Sequence, residues 1–408
     1  MVIAPNTLVI LIGITALGIC CGLVGALMLL RRRALLSDAL AHATLPGVCI
    51  AFLLSGSRST LTLGLGALVS ALIGAILVSY LPRFSRVRRD SATACILGIL
   101  FGAGIALSGI IQRSGPGASA AGLDGLLLGR TAGMLRSEAM VLVCAAIVMS
   151  LLIFLLRKEL LLSCFDPLFG RCSGQATGAL DLLQTSLLAA TVVLALPAVG
   201  VVLTAALVVI PPAAARFWTD RFDPLLRISA FIGAASGITG TIVSSSYPAL
   251  PAGPVIVLSA TGIFIFSLLA APKRGMIARK LRWSSRKRQR EIRRILHTLL
   301  LACEGDQNSL SADQMLAGSV AASPRALNRA IREGFVEKEA ERLQLTPLGT
   351  KRALRARKSQ QIWREWLTSE ASIDRDLIDL DEEEIEKLLP AELVRSLEHS
   401  IELREAIR

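Results

Sequence analysis

The sequence predicts an all-α polytopic membrane bundle of about nine transmembrane helices, with eight as the alternative, followed by a cytoplasmic winged-helix α/β domain. Hydrophobic residues make up 53% of the 408 residues. Residues 1–275 contain long apolar runs, with 19 Lys/Arg and only 9 Asp/Glu. Residues 276–408 hold 25 Lys/Arg and 22 Asp/Glu, and this density of charge indicates a water-exposed part. A soluble enzyme built over the whole length is therefore excluded.

Nine apolar runs are long enough to be candidates for crossing a hydrocarbon core of about 30 Å. They lie near 7–30, 36–54, 61–82, 91–112, 137–156, 179–197, 199–215, 228–245 and 253–271. The pair 179–215 leaves two alternatives open: two short spans hinged at Pro197, or one span and a re-entrant segment. Gly18-x-x-x-Gly22, Gly98-x-x-x-Gly102 and Gly233-x-x-x-Gly237 are typical of generic close packing between membrane helices.

The Lys/Arg bias of the short loops predicts the orientation. Alternate loops carry thirteen basic residues, beginning with Arg31–Arg33, whereas the opposite loops carry four. The basic loops are expected in the cytoplasm. The N-terminus then lies outside and the C-terminal domain inside, which an odd number of spans satisfies.

Three segments follow from the composition: a transmembrane domain over 1–272, a basic juxtamembrane linker over 273–290 and a cytoplasmic domain over 291–408. The linker is interpreted as an anchor on anionic membrane lipid, with a nucleic-acid-binding arm as the alternative. In the last segment, helices are predicted over Glu291–Glu304, from Ser311–Leu316 and from Ser323-Pro324. A hairpin over Phe335–Leu345 and a helix from Thr346-Pro347 complete a winged helix-turn-helix outline.

Asp38 and His42 are the candidate metal ligands of the membrane part. Four residues apart on a helix, they share one face, and His42 is the only histidine before residue 276. Carboxylate and imidazole suit Zn²⁺, Mn²⁺ or Fe²⁺, and a second copy would complete four ligands. Capping of the helix by Ser37 or Asp38 is the alternative. Asp181, at the start of a predicted span, is interpreted as a cap rather than a ligand, and Asp124 as a solvated loop residue.

Several segments resemble the permease subunits of bacterial ABC importers for zinc, manganese and iron, the metal-chelate permease family. These segments are Arg32–Gly47, Cys164–Gly170, Val199–Pro211 with Ala213–Arg216, and Pro248–Leu258. They occur in order over most of residues 1–275.

This resemblance implies a transport permease of the bacterial inner membrane that is not itself an enzyme. Its partners would be a cytoplasmic ATPase subunit, an external metal-binding protein and a second permease copy or a sister permease. Asp38 and His42 would line the pathway, and Asp166, Pro167, Gly170 and Arg171 would couple to the ATPase. The chain contains no Gly-Lys dipeptide and so no phosphate-binding loop, which agrees with ATP acting through a partner subunit. No covalently bound cofactor is expected, and the divalent metal is the substrate.

The C-terminal part resembles iron- and manganese-dependent repressors of the diphtheria toxin repressor type. Leu345-Thr346-Pro347-Leu348-Gly349 and Leu397-Glu398-His399 carry that resemblance, which implies Glu398 and His399 as metal ligands. Arg325, Arg329 and Arg332 could contact DNA, although the acidic run Asp379–Glu386 opposes a DNA-binding face. The alternative functions are a membrane-tethered or released metal-responsive DNA-binding regulator, and a permease for a chelated metal or another small nutrient.

Overall fold

The computed structural model describes residues 5–56, 59–113, 129, 131–247, 250–272, 274–304, 310–311, 324–339 and 342–369. The chain divides into two compact units, Met1–Ala278 and Arg279–Arg408.

In its described residues, the regular structure of the first unit is helical. Its helices are α1 (Pro5–Leu30), α2 (Leu36–Ser55), α3 (Thr60–Phe84), α4 (Arg89–Arg113), α5 (Arg136–Leu155), α6 (Arg157–Phe165), α7 (Pro167–Cys172), α8 (Thr177–Val199), α9 (Val201–Arg216), α10 (Phe222–Ser246) and α11 (Ala252–Ala270). A short 3₁₀ turn, Thr131–Gly133, precedes α5. One apolar core cluster draws side chains from most of these helices.

Among the described residues, eight helices are long and apolar enough to cross a membrane, which agrees with the predicted alternative of eight spans and not with nine. The exception is α9, whose 16 residues rise about 24 Å, short of the hydrocarbon thickness. Val208 nevertheless lies beside Gly25, and Ala214 shares a cluster with Leu30. Helix α9 therefore runs in the same direction as α1 and returns the chain to the end of the bundle where α1 finishes.

Glycines allow α1 and α10 to cross in direct backbone contact. A Cβ built on Gly18 would clash with the carbonyl of Gly233, and one on Gly22 would clash with that of Ser229. The Ser229 hydroxyl also donates to the carbonyl of Gly22 at 2.6 Å. Two of the three predicted glycine motifs thus serve this crossing. A Cβ on Gly98 would meet no atom of the described chain within 4 Å.

The second unit combines helices with a small sheet. Its elements are most of α12 (Met276–Glu304), then β1 (Leu310–Ser311), α13 (Pro324–Arg332), β2 (Val336–Glu339), β3 (Arg342–Leu345) and α14 (Pro347–Ser369). The sheet is antiparallel in the order β1-β3-β2, and Val336 pairs with Leu345. Ile295, Leu299, Leu327, Phe335 and Leu343 belong to its core.

Two predictions for this unit require correction. The helix expected from Glu291 begins at Met276, so the described part of the basic segment 273–290 is helical from that residue onwards. Leu310 and Ser311 pair as a strand with Leu343 and Arg342, where a second helix was expected to start at Ser311. The apolar stretch at Leu310 is too short for its residue spacing to distinguish a helix from a strand, and the strand with which it pairs is remote in sequence. The rest of that predicted helix lies outside the described residues, and the winged-helix assignment is not established.

Candidate functional site

Helix α2 carries both candidate ligands near its first turns. Its N-cap residue is Leu35, which makes no side-chain cap hydrogen bond, and the Ser37 hydroxyl instead donates to the carbonyl of Ala34 at 2.9 Å. Neither Ser37 nor Asp38 therefore occupies the N-cap position considered as the alternative. Pro46 lies inside the helix and has no amide proton, so the carbonyl oxygen of His42 lacks its usual helical donor.

Asp38 and His42 lie side by side on this helix. The distance between Asp38 Oδ1 and His42 Nε2 is 3.5 Å, and the side chains are 49% and 25% exposed. The ring of His42 meets that of Phe101 on α4 edge to face, with the centroids 4.8 Å apart. Both donor groups can therefore be reached from outside the core, while Phe101 orients the imidazole.

The segment just after these ligands is held firmly against α3. Gly47 and Gly66 approach so closely that a Cβ on either would clash with the backbone of the other. The Ser70 hydroxyl donates to the carbonyl of Ala43 at 2.6 Å. Since Ala43 directly follows His42, this bond fixes the backbone next to the imidazole.

Most of the predicted coupling segment Asp166–Arg171 lies in a separate short helix, α7. The Asp166 side chain caps it by accepting from the amide of Phe169 at 2.9 Å, and Pro167 occupies the first helical position. Gly170 is buried, and a Cβ there would sit 3.1 Å from Thr177. Arg171 donates to the Thr177 hydroxyl at 3.1 Å. Leu168 is 71% exposed and Phe169 is 59% exposed, so α7 presents an uncovered apolar surface.

A buried ion pair that sequence inspection missed involves Asp181. Arg33 Nη1 donates to Asp181 Oδ1 at 2.8 Å, and Arg31 donates to the same oxygen. Helix α8 has Ala176 at its N-cap position, so the prediction of Asp181 as a cap is wrong. A carboxylate inside an apolar run needs a charged partner, so the position of Asp181 already indicates from sequence that such a partner exists. The partner residues could not be chosen from sequence because Arg31 lies 150 positions away.

The other predicted site residues belong to the second unit. Arg325, Arg329 and Arg332 are exposed on α13, while Ala326, Leu327 and Ala330 of the same helix are buried. Contact of these arginines with DNA stays a prediction. Glu398 and His399 lie outside the described residues, as does Asp124. Among the residues that the structure describes, no group of three or more His, Cys, Asp or Glu side chains could hold a metal ion.

Comparison with known proteins identifies the family. Residues 5–271 match the model of the ABC 3 transport family. The manganese transport system membrane protein MntC of Bacillus subtilis (strain 168) is 33% identical over 388 residues, which covers 92% of this chain and 88% of that protein. The zinc transport system membrane protein TroC of Treponema pallidum (strain Nichols) is 40% identical over 268 residues, or 66% of this chain and 90% of the relative.

A solved structure is similar in fold. PsaBC from Streptococcus pneumoniae, solved in complex with Fab, superimposes with a TM-score of 0.59 at 28% identity. The superposition covers 69% of this chain and 96% of that one. The alignment with the Bacillus protein is too long to lie within the membrane spans alone, so the resemblance to it includes part of the second unit. The chain is therefore a multi-pass membrane permease of the ABC 3 transport family and not an enzyme.

Proposed function

We propose that this chain is the permease of an ATP-driven importer of Mn²⁺ or Zn²⁺. Its family membership and the names of its relatives, which are manganese and zinc transport proteins, support these two metals. Iron was included in the expectation from sequence, but it appears in none of those names and is not proposed. A separate ATPase subunit hydrolyses the ATP.

The observation that carries the proposal is the spacing of the two donor atoms on α2. Two ligands held tetrahedrally at about 2.0–2.1 Å from one Zn²⁺ are about 3.3 Å apart. Asp38 Oδ1 and His42 Nε2 are 3.5 Å apart. One metal ion could therefore bind both atoms with little movement of either side chain. The carbonyl oxygen of His42, left without its helical donor by Pro46, is a further oxygen of the kind that Mn²⁺ accepts.

A site with few ligands fits transport rather than storage. Two ligands from one chain hold an ion weakly, and a transported ion must be released as readily as it is bound. A second permease copy or a sister permease that contributes the same pair would raise the number to four. In each copy, Asp38 would contribute one carboxylate oxygen and His42 one ring nitrogen to the ion.

The proposed orientation places the basic loops and α7 in the cytoplasm, with the N-terminus outside. The Lys/Arg bias supports it, as does the return of α9 to the end of the bundle where α1 finishes. There α7 presents Leu168 and Phe169 to a cytoplasmic partner, which we assign as the ATPase. An external binding protein delivers the metal at the opposite end. For the second unit we propose a regulatory role within the transporter. The match to the Bacillus transport protein, which extends into this unit, supports only that the unit belongs to the transporter.

The test is metal accumulation in cells that lack their own manganese and zinc importers. The chain is expressed with its ATPase and external binding protein, and wild type is compared with Asp38→Ala and His42→Ala. Each variant should lower accumulation by at least about 10- to 100-fold, the range for loss of a group that only supports a metal ligand. Asp223→Ala is the matched control, because Asp223 is likewise an aspartate in the first turn of an apolar helix, and it is exposed. Full accumulation by both variants at equal membrane abundance would exclude the site.

A further inference from the structure

Three charged side chains form a buried cluster at one end of the membrane unit. Arg33 donates to both oxygens of Asp181, at 2.8 Å to Oδ1 and 3.5 Å to Oδ2, and Arg31 donates to Oδ1. The three side chains are only 10–13% exposed. Charged groups this buried are costly unless they are paired, so the loss of one member would leave an uncompensated buried charge on the others.

The turn between α1 and α2 directs the side chains of Arg31 and Arg33 to the same carboxylate. Arg32 has a φ of 57°, and among the described residues it is the only non-glycine residue with positive φ. The amide of Arg33 bonds to the carbonyl of Met28 at 2.9 Å and that of Arg32 to Leu29 at 3.0 Å, which is the Schellman arrangement. Glycine ordinarily occupies the left-handed position of this arrangement. The arginine there is held in an unfavourable conformation, while its two neighbours reach the same carboxylate.

The same cluster reaches the segment that leads into α7. Arg31 Nη2 donates to the carbonyl of Ser163 at 3.4 Å, and Gln184 of α8 donates to the Ser163 hydroxyl at 3.0 Å. Ser163 precedes the capping residue Asp166 by three positions. Arg33 precedes Asp38 by five positions, on the other side of the cluster.

We propose that Arg31, Arg33 and Asp181 form a coupling clamp that transmits displacement of α7 to the start of α2, where Asp38 and His42 lie. The inference rests on the proposed function, because it assigns α7 as the ATPase contact and α2 as the metal-binding helix. The three residues are positioning residues, since none of them is assigned to the metal or to ATP. The clamp links the segment that leads into α7 to the turn that leads into α2. Its charged hydrogen bonds are directional, so the two segments cannot slide past each other as apolar surfaces do.

The test is the number of metal ions transported per ATP hydrolysed. The full transporter, with its ATPase and binding protein, is reconstituted in proteoliposomes and supplied with Mn²⁺ or Zn²⁺. Asp181→Asn keeps the shape of the side chain and removes its charge. We expect ATP hydrolysis to continue while the ratio falls about tenfold, a size typical of coupling between sites. Asp181→Glu, which restores the carboxylate, should recover part of the ratio, and Asp223→Asn should leave it unchanged.

A purely structural role predicts a different result. Asp181→Asn would then lower uptake and hydrolysis in the same proportion, through a smaller amount of assembled transporter, and an unchanged ratio would overturn the clamp. Arg33→Gln, which leaves the Arg31–Asp181 pair intact, provides a second variant if Asp181→Asn does not assemble. It should also lower the ratio, and an unchanged ratio there would reject the clamp. If the wild type itself transports neither metal, the proposed function is wrong, and the clamp, which rests on it, is rejected as well.

Discussion

Gly18 of α1 and Gly233 of α10 cross so closely that a Cβ on either would clash with the carbonyl group of the other. The contact between these two helices is therefore made by backbone against backbone. In lipid, where apolar side chains gain nothing by leaving water, such close packing is a main source of helix association. The crossing fixes α1 in the bundle, and with it the turn that carries Arg31 and Arg33.

Gly18→Ala should destabilise the bundle. The added methyl group has only backbone as its neighbour, so the helices must separate, at a cost of about 1–3 kcal/mol. The measurement is the thermal unfolding temperature of the purified chain in detergent, which should fall. Gly98→Ala is the control, because a Cβ at Gly98 meets nothing within 4 Å in the described chain. An equal fall in unfolding temperature for the two substitutions would show that the close crossing does not limit the stability of the bundle.

Asp38→Glu and Asp38→Asn should differ in metal uptake. Glutamate keeps a carboxylate that can reach the same ion with a shifted position, whereas asparagine keeps the size and loses the charge. We expect Asp38→Asn to lower uptake about 10- to 100-fold and Asp38→Glu to lower it less. Uptake of labelled metal by cells at equal expression measures both. The opposite order would mean that Asp38 acts by its shape and not as a ligand.

Leu168→Glu should weaken association of the permease with its ATPase. Leu168 is 71% exposed on α7, so the change removes apolar surface and adds a charge without disturbing the core of the unit. The amount of ATPase that co-purifies with the permease should fall while the unfolding temperature of the permease stays the same. Leu54→Glu is a poor control because Leu54 lies in a membrane span. Lys158→Glu, a change on α6 outside the spans, controls for added negative charge, and equal loss with it would argue against α7 as the contact.

Cys164 should react slowly with thiol reagents at neutral pH. Burial raises the pKa of its thiol above the usual range, and Arg31 and Arg33 offset only part of this effect. A raised pKa keeps the thiol protonated, so the reactive thiolate appears only as the pH rises. The measurement is the rate of maleimide labelling in chains that retain Cys164 or Cys172 alone. Cys172 is exposed and should react sooner, and faster labelling of Cys164 at pH 7 would contradict its burial.

The candidate metal site was accessible to sequence inspection because its geometry is local. Residues four apart on a helix must share a face, and the structure places Asp38 and His42 within 3.5 Å of each other. Their proposed role as ligands remains for the transport experiment. The charge cluster was not accessible in this way, since Asp181 could have paired with any of the arginines at the ends of the spans.

The sequence by itself determined where most spans lie and which family the chain resembles. A segment in hydrocarbon must satisfy its backbone hydrogen bonds within itself, so length and apolarity suffice to locate it. Only the tertiary structure decided that the short helix Val201–Arg216 runs beside α1, that Leu310–Ser311 forms a strand, and that Arg31 and Arg33 share Asp181. Each of these depends on contacts between segments distant in the chain, which the pattern of any one segment does not contain.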